Sequence, residues 1–285
     1  MEFDPRLEYV ECPRDAMQGI QRPISTQAKI ELCLTLLQCQ FDILDCGSFV
    51  NPATIPQMAD SAEVIQAIAP HKGRTKLLVI VANLRGALRA CSLPGVDYLG
   101  FPFSVSEAFQ RRNTNSSRSE AYIRLAKIQA LAKAAGKEVV AYISMGFGNP
   151  YGEPYSEEEV LTWVRQIQKL GIRNISLADT TGQASPSSIH YLFQSLCHSD
   201  LHVSAHFHAQ PQAWMEKVKS AYDSGCRRFE GAFGGFGGCP MAKDDLTGNV
   251  PTEQVLPWLI SQGDDHSLIT EAFEKAAEVA RNTYG

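Results

Sequence analysis

Short apolar runs alternate along this chain with longer stretches that have the 3.6-residue periodicity of amphipathic helices. The apolar runs predict strands at residues 8–12, 43–45, 76–81, 98–102, 139–144, 174–178, 202–206 and 228–232. The periodic stretches predict helices at residues 27–38, 61–68, 118–135, 156–169, 186–196 and 211–224, with a tail helix at 268–281. Strands that alternate with helices imply parallel pairing through right-handed crossovers.

This alternation predicts a single α/β domain over residues 1–285, a (β/α)8 TIM barrel with an extra C-terminal helix. A repeat of roughly 30–35 residues suits a closed barrel of about 250 residues. The alternative is an open doubly wound sheet, which needs a glycine fingerprint for phosphate after its first strand. The segment 13–17 carries no such glycines, so the barrel is favoured.

Charge and apolar-run length limit the kinds of partner that this protein is expected to bind. A net charge of -5 argues against a nucleic-acid-binding protein, which normally has a basic face. The longest apolar run, residues 77–82, is too short to span a bilayer. The first residues form neither a signal peptide nor a transit peptide, and the eight cysteines include no CxxC pair. We therefore expect no membrane partner and a reducing cytoplasm.

Unusual polar residues cluster where the predicted strands end, at the rim that carries the chemistry of a barrel. They are Arg14, Asp15, Asp45, Asn83, Tyr142, Ser144, Asp179, Thr180, His206, His208 and Asn249, together with the glycine-rich segment 234–239. Because seven of the predicted strand ends or their loops contribute, the pattern predicts one site at this mouth.

His206 and His208 have the period-two spacing that puts both imidazoles on one face of a strand. A histidine pair alone is more often structural than ligating, but Asp15 from the opposite side of the mouth reverses that expectation. With the carbonyl of Asn249 they form a mixed nitrogen and oxygen donor set, which suits octahedral Mg²⁺ or Mn²⁺. Catalytic zinc, which also takes such ligands, is the alternative.

Arg14 suggests oxyanion chemistry, and Cys239 suggests acid–base chemistry. Arg14 is either a surface ion pair with Asp15 or the guanidinium that stabilises a developing oxyanion. Asp45 and Asp179 are candidates to orient Arg14 and the histidines. The glycine-rich segment predicts a mobile lid that delivers a proton from Cys239, the alternative being a tight turn that closes the barrel.

Several motifs resemble, in chain order, those of one known family. The segment 11–18, ECPRDAMQ, looks like the Arg-Asp-x-x-Gln signature of the DRE-TIM metallolyases. Further segments resemble those of the 3-hydroxy-3-methylglutaryl-CoA lyases, at 48–52, 56–58, 176–182, 206–208, 235–240 and 248–253. The resemblance covers residues 8 to 260, which is nearly the whole predicted barrel.

The resemblance implies metal-dependent retro-Claisen cleavage of 3-hydroxy-3-methylglutaryl-CoA to acetyl-CoA and acetoacetate. It implies the metal ligands Asp15, His206, His208 and Asn249. Asp15 or His206 would be the base, Arg14 would hold the enolate, and Cys239 would protonate it. The implied substrate contacts are Gln18, Asp45, Asn83, Tyr142, Asp179, Thr180 and Glu253. Candidate cations for the coenzyme A phosphates on this rim are Arg22 and, in a loop predicted at 106–115, Arg111 and Arg112.

The chain departs from the family pattern in three places. The segment 209–212 replaces a common Asp-Thr-Tyr-Gly, Asp45 replaces a glutamate, and Ala16-Met17 replaces Gly-Leu. The departures concern the acyl group more than the reaction type. The alternatives are a related aldolase or lyase acting on another 3-hydroxyacyl-CoA or keto-acid, and a catalytically silent barrel. A homodimer and a role such as leucine degradation are further expectations.

Overall fold

Eight parallel strands close into a barrel in the computed structural model, which describes residues 6–210, 212–238, 247–264, 266 and 270–285. The strands are β1 (Glu8–Glu11), β2 (Ile43–Ser48), β3 (Lys76–Ile80), β4 (Val96–Ser104), β5 (Glu138–Ser144), β6 (Asn174–Asp179), β7 (His202–Ala209) and β8 (Arg228–Gly231). Each strand pairs with the next, and β8 pairs with β1, which closes the ring. The predicted TIM barrel is confirmed.

Helices surround this barrel. They are α1 (Pro13–Gln18), α2 (Thr26–Gln38), α3 (Ser61–Ile68), α4 (Leu84–Cys91), α5 (Glu107–Thr114), α6 (Arg118–Ala134), α7 (Glu157–Lys169), α8 (Pro186–Leu196), α9 (Trp214–Asp223), α10 (Thr252–Ser261) and α11 (Thr270–Tyr284). A two-residue strand, β9 (Gly248–Asn249), follows the described part of the glycine-rich segment and pairs antiparallel with the end of β7.

The helix boundaries follow from local chemistry. Ser117 begins α6 with a capping box, in which its hydroxyl accepts from the Glu120 amide and the Glu120 carboxylate accepts in return. Gly136, Gly171 and Gly225 lie just past three helix ends with positive φ angles of 67°, 83° and 92°. Only glycine adopts this left-handed conformation without strain. These predicted stops are therefore confirmed.

The core has two layers. A large cluster of buried side chains fills the space between the outer face of the sheet and the helices. A smaller apolar cluster comes from alternate positions of neighbouring strands and fills the barrel interior; its buried members are Val10, Cys12, Ile43, Leu78, Ile80, Val140 and Tyr142. On β6, β7 and β8 the equivalent positions are polar, so the interior changes from apolar to polar across the barrel.

The structure corrects three sequence-based predictions. β1 ends at Glu11, and Arg14 and Asp15 lie in the short helix α1 because Pro13 is pre-organised for a first helical position. The loop predicted at 106–115 is helix α5, which the Ser106 hydroxyl caps. The helix predicted from 211 begins at Trp214; residue 211 itself lies outside the described residues.

Two general expectations can be compared with the described residues. None of the helices in these ranges is both long and apolar enough to cross a membrane. The seven cysteines that the structure describes are all free thiols. Cys239 lies outside the described residues.

Candidate active site

A cavity of about 700 Å³ opens at the C-terminal ends of the barrel strands. Its walls come from α1, the loop after β2, the end of β3, α5, and the ends of β5, β6 and β7. The polar side chains at its floor include Arg14, Asp15, His206 and His208. The sequence predicts these four residues at one mouth, and the barrel brings them together from α1 and β7.

Arg14 and Asp15 form a buried ion-pair network at this floor. The Arg14 Nη1 donates to Asp15 Oδ1 at 2.8 Å and to Gln18 Oε1 at 2.9 Å. Its Nε donates to both carboxylate oxygens of Asp45, at 3.2 and 3.0 Å, and its Nη2 also contacts Asp45. Gln18 Nε2 donates to Asp15 Oδ1 at 2.7 Å. The guanidinium is therefore held in one orientation by partners on two sides.

Glu230 on β8 orients His206. One oxygen of Glu230 accepts hydrogen bonds from the hydroxyls of Ser176 and Ser204, at 2.6 and 2.5 Å, and the other lies 3.0 Å from His206 Nδ1. Because the carboxylate accepts, this bond assigns the proton to Nδ1 and leaves the lone pair on Nε2. His206 lines the cavity.

His208 is oriented by a backbone carbonyl. Its Nδ1 lies 3.0 Å from the carbonyl oxygen of Thr180, so this nitrogen donates and Nε2 carries the lone pair. The buried Nε2 has no hydrogen-bond partner among the described residues. It lies 3.9 Å from Asp15 Oδ2. An acceptor atom is thus buried beside a carboxylate and left unpaired.

Asn249 reaches the same place through the pairing of β9 with β7, which sets Asn249 opposite His208. Its Nδ2 donates to Asp15 Oδ2 at 2.7 Å and to the Phe236 carbonyl at 2.9 Å. Its buried Oδ1 lacks a hydrogen-bond partner within the described ranges. The site therefore holds a second unpaired acceptor, on the neighbouring strand.

The surroundings of the site favour the unprotonated forms of Asp15 and His208, whereas Glu230 acts in the opposite direction on His206. Burial raises the pKa of Asp15, but Arg14 and the two imidazoles outweigh it and lower the pKa to about 2. Burial and the neighbouring His206 lower the pKa of His208. For His206, burial lowers the pKa, but the hydrogen bond and charge of Glu230 raise it above its usual value.

These observations fit a divalent cation. Asp15, His206 and His208 offer ligand atoms that all lie within 4.8 Å of one another. The unpaired acceptors His208 Nε2 and Asn249 Oδ1 cost free energy unless something binds them. Two imidazole nitrogens with carboxylate and amide oxygens form a donor set for a borderline or hard cation.

A second group, Cys12, His206 and Glu230, has the same compactness but fits a metal less well. Both oxygens of Glu230 already accept hydrogen bonds. One accepts from the hydroxyls of Ser176 and Ser204, and the other accepts from His206. Burial raises the pKa of the Cys12 thiol, so the thiol stays protonated. Glu230 therefore supports His206 as a ligand of the Asp15 site.

Four of the seven predicted substrate contacts line the cavity, and three do not. Gln18, Asn83, Tyr142 and Thr180 line the cavity. Asn83 also caps α4, because its Oδ1 accepts from the Gly86 amide at 2.9 Å. The Thr180 hydroxyl accepts from the Met145 amide at 2.9 Å. The Tyr142 ring packs edge-on against His206 with centroids 5.8 Å apart.

Asp45, Asp179 and Glu253 are outside the cavity lining. The Asp45 carboxylate binds Arg14. Asp179 accepts from Lys217 Nζ at 2.5 Å, and Glu253 accepts from the Gly234 amide at 2.9 Å. Each of these carboxylates holds a neighbouring part of the protein, and Asp45 binds Arg14 as the sequence predicts. Their predicted role as substrate contacts stays a prediction.

Of the three arginines predicted to bind the coenzyme A phosphates, one lines the cavity. Arg112 lines the cavity, with its guanidinium 5.2 Å from the Tyr151 ring centroid. Arg111 points away and pairs with Glu107 at 2.8 Å on the same helix. Arg22 donates to the carbonyls of Thr283 and Gly285 and lines a different cavity. Arg124 of α6, which we did not predict, lines the cavity as well.

The glycine-rich segment begins directly over the candidate ligands. A side chain at Gly237, where φ is 111°, would lie 2.4 Å from Asn249 Nδ2 and 3.0 Å from Asp15 Oδ2. Glycine is therefore required for this close approach. The lid role predicted for Cys239 lies outside the described residues.

Two supporting residues were missed, although the sequence carries a signal for each. Glu230 is a carboxylate inside a short predicted strand, where a charge needs a partner. Lys217 shares the buried face of α9 with Trp214, Val218 and Ala221, which the helical spacing indicates.

Fold and site together define a TIM-barrel protein with a candidate metal centre at its C-terminal mouth. The model of the HMGL-like family matches residues 10–280. The chain belongs to this family, and the family and the donor set together imply a divalent metal ion.

Similar proteins carry informative names. A 3-hydroxy-3-isohexenylglutaryl-CoA/hydroxy-methylglutaryl-CoA lyase of Pseudomonas aeruginosa is 31% identical over 100% of this chain and 96% of its own length. A hydroxymethylglutaryl-CoA lyase of Pseudomonas mevalonii is 32% identical over 91% of this chain and 86% of its own. A solved HMG-CoA lyase from Acinetobacter baumannii, in complex with coenzyme A and 3-methylmalate, is 30% identical. Its TM-score is 0.91, with coverage of 100% of this chain and 93% of that one.

Proposed function

We propose that this protein cleaves 3-hydroxy-3-methylglutaryl-CoA to acetyl-CoA and acetoacetate, as a carbon–carbon lyase. The names of its relatives support the reaction. The observation that carries the proposal is the pair of buried unpaired acceptors, His208 Nε2 and Asn249 Oδ1, beside Asp15 at the floor of the cavity. Unpaired buried atoms such as Gln129 Oε1 occur elsewhere among the described residues, but here two acceptors belong to residues that contact the same carboxylate, which is the arrangement a cation site requires.

The metal we propose is Mg²⁺ or Mn²⁺, held by Asp15, His206, His208 and Asn249. Nitrogen and oxygen donors without a thiolate support this choice. Such an ion would act as a Lewis acid that lowers the pKa of the substrate's tertiary hydroxyl.

The protein's own residues would complete the reaction. Asp15 is the base that takes the hydroxyl proton, since its carboxylate is oriented by hydrogen bonds, lines the cavity and has a second oxygen beside the one that would bind the metal. His206 was the alternative base, but its Nδ1 proton faces Glu230 and its one lone pair, on Nε2, would be taken by the metal. Cleavage of the carbon–carbon bond then leaves negative charge on the acetyl-CoA enolate oxygen. Arg14 is suited to this oxygen, because Asp45, Asp15 and Gln18 hold its guanidinium in place before the charge develops.

Protonation of that enolate by Cys239 stays a prediction. The prediction is supported by the position of Gly237, two residues earlier in the chain, which packs against Asp15 and Asn249. We expect Cys239→Ala to lower kcat strongly while Mn²⁺ affinity stays within about twofold, a change too small to indicate a lost ligand. Wild-type turnover in this variant would remove the thiol from the mechanism.

For the coenzyme A phosphates we propose Arg112 and Arg124, the two arginines near the rim that line the cavity. Arg112→Gln should raise KM for the thioester about 5- to 20-fold, the effect of one lost charge-assisted hydrogen bond, and leave kcat nearly unchanged. The matched control is Arg111→Gln, since Arg111 is the neighbouring residue and pairs with Glu107 instead. Equal KM values for both variants would reject this assignment.

The deciding experiment measures acetyl-CoA release from 3-hydroxy-3-methylglutaryl-CoA before and after chelation. We expect a strong chelator to abolish release and Mg²⁺ or Mn²⁺ to restore it. Full activity in the chelator would reject the metal-dependent reaction. An aldolase acting on a free keto-acid would be indifferent to the thioester, and a silent barrel would release nothing; the relatives' names favour neither alternative. Cytoplasmic location and a homodimer stay predictions, testable by cell fractionation and light scattering.

A further inference from the structure

We propose that Lys217, on the outer helix α9, is a positioning residue that sets the geometry of the metal ligand His208. The inference rests on the proposed metal site and adds a residue to it. Lys217 does not line the cavity and touches no ligand side chain among the described residues. It would act through the backbone on both sides of His208.

The Lys217 ammonium is buried and fully engaged. Lys217 as a whole is 8% exposed to solvent. Nζ donates to Asp179 Oδ2 at 2.5 Å, to the Gly182 carbonyl at 2.7 Å and to the His208 carbonyl at 3.0 Å. Three donors thus meet three acceptors from two different strands and their loops, which compensates for the burial of the charge.

Two of these acceptors bracket Thr180, whose carbonyl orients the His208 ring. Asp179 precedes Thr180 and Gly182 follows it by two residues, so Lys217 fixes the turn that carries this carbonyl. The third acceptor is the backbone of His208 itself. One ammonium therefore holds both partners of the hydrogen bond between Thr180 and His208 Nδ1.

Lys217 makes more hydrogen bonds than are needed simply to attach α9 to the sheet. The ion pair with Asp179 alone would attach the helix. The added bond to the His208 carbonyl also acts at the residue that β9 pairs with, and that pairing brings in Asn249. Lys217 consequently supports two of the four proposed ligands from behind. Supporting partners of this kind typically change metal affinity by about 10–100-fold when removed.

The test compares the metal-free full-length protein with Lys217→Met, which keeps most of the aliphatic chain and removes the ammonium. The matched control is Lys219→Met on the same helix, where the exposed Lys219 pairs only with Asp223 at 2.6 Å among the described residues. Mn²⁺ dissociation constants are measured by electron paramagnetic resonance of free Mn²⁺, and folding by the thermal midpoint without metal.

We expect Lys217→Met to weaken Mn²⁺ binding about 10–100-fold, the effect of losing a supporting partner, while Lys219→Met stays at the wild-type value. Because Lys217→Met leaves the Asp179 carboxylate buried without its cation, a double variant, Lys217→Met with Asp179→Asn, separates folding from positioning. Its thermal midpoint should recover towards wild type while Mn²⁺ binding stays weak.

Three results would overturn the proposal. Mn²⁺ binding within about twofold of wild type in folded Lys217→Met would do so, because twofold is well below the effect of a supporting residue. Recovery of Mn²⁺ affinity together with the midpoint in the double variant would show that only the ion pair matters. Absence of Mn²⁺ binding in the wild-type protein would reject the metal site itself, and is thereby distinguishable from the first two results.

Discussion

The two mouths of the barrel both bury charged groups, but they differ in how completely the polar side chains around those groups are hydrogen-bonded. At the N-terminal mouth, Arg228 donates to Glu8 at 2.5 Å and to Asn174 Oδ1 at 3.1 Å. Asn174 Nδ2 in turn donates to Glu138 at 2.8 Å. These residues are the first of their strands. Their side chains pair with one another, as expected where a barrel is stabilised and not reactive.

At the C-terminal mouth, pairing is incomplete in a specific way. Arg14 has partners on two sides, whereas His208 Nε2 and Asn249 Oδ1 have none among the described residues. Both unpaired atoms are acceptors: the first lies 3.9 Å from Asp15 Oδ2, and the second belongs to the amide whose Nδ2 donates to that same oxygen. Buried charge is thus common to both mouths, and unpaired acceptors around one carboxylate distinguish the candidate site. Substitutions at the two mouths should therefore have different consequences.

The largest effect is expected for Arg14→Gln. Removing a preorganised partner of a developing oxyanion typically lowers kcat about 10²–10³-fold. Glutamine keeps one hydrogen bond within reach of Asp45, which limits the loss of stability. The measurement is the steady-state rate of acetyl-CoA release at saturating thioester, alongside Mn²⁺ affinity.

The matching control at the other mouth is Arg228→Gln, which removes a guanidinium held by the same types of partner. We expect this variant to retain kcat once folded. Comparable losses of kcat at both mouths would mean that Arg14 acts through the fold, and the oxyanion role would have to be abandoned.

The sequence was sufficient for the elements whose chemistry is local. His206 and His208 are two residues apart in a strand, so any strand geometry puts them on one face. The glycines at 136, 171 and 225 end helices because of their own backbone freedom. Distant ligands such as Asp15 and Asn249 were predicted because the expected barrel places their strand ends at one mouth, and the family resemblance implied the same ligands.

The interactions that the sequence did not yield are those between strands and outer helices. Asp179 was predicted to orient a histidine side chain, whereas it binds Lys217, which holds the histidine's backbone. Arg22 follows β1 but turns towards Thr283 and Gly285, because chain position alone does not fix the direction of a side chain. Helix α5 was read as a loop although Ser106 and Glu107 are ordinary signals of a helix start.

An intermediate effect is expected for Gly237→Ala. The new methyl group would lie 2.4 Å from Asn249 Nδ2, and the donor to Asp15 would have to move. We expect Mn²⁺ affinity to fall about 10–100-fold, as for other disturbed ligand supports. The control is Gly263→Ala, where φ is a similar 100° but no described atom lies within 4 Å of the added carbon. Equal changes in both variants would assign the effect to backbone strain instead of displacement of Asn249.

The smallest effect is expected at the N-terminal mouth, for Glu8→Gln. The Glu8 side chain is 38% exposed, so its ion pair with Arg228 is partly screened by solvent. The amide oxygen of glutamine can still accept from Arg228, so only the charge is lost. We expect a decrease of about 0.5–1 kcal/mol in the free energy of unfolding, and hence a thermal midpoint lower by about 1–4 °C. Differential scanning calorimetry of the metal-free protein measures this shift, while kcat and Mn²⁺ affinity should equal those of wild type. A loss of Mn²⁺ affinity in this variant would mean that the two mouths are coupled through the barrel, against the separation of stability from chemistry that their different pairing implies.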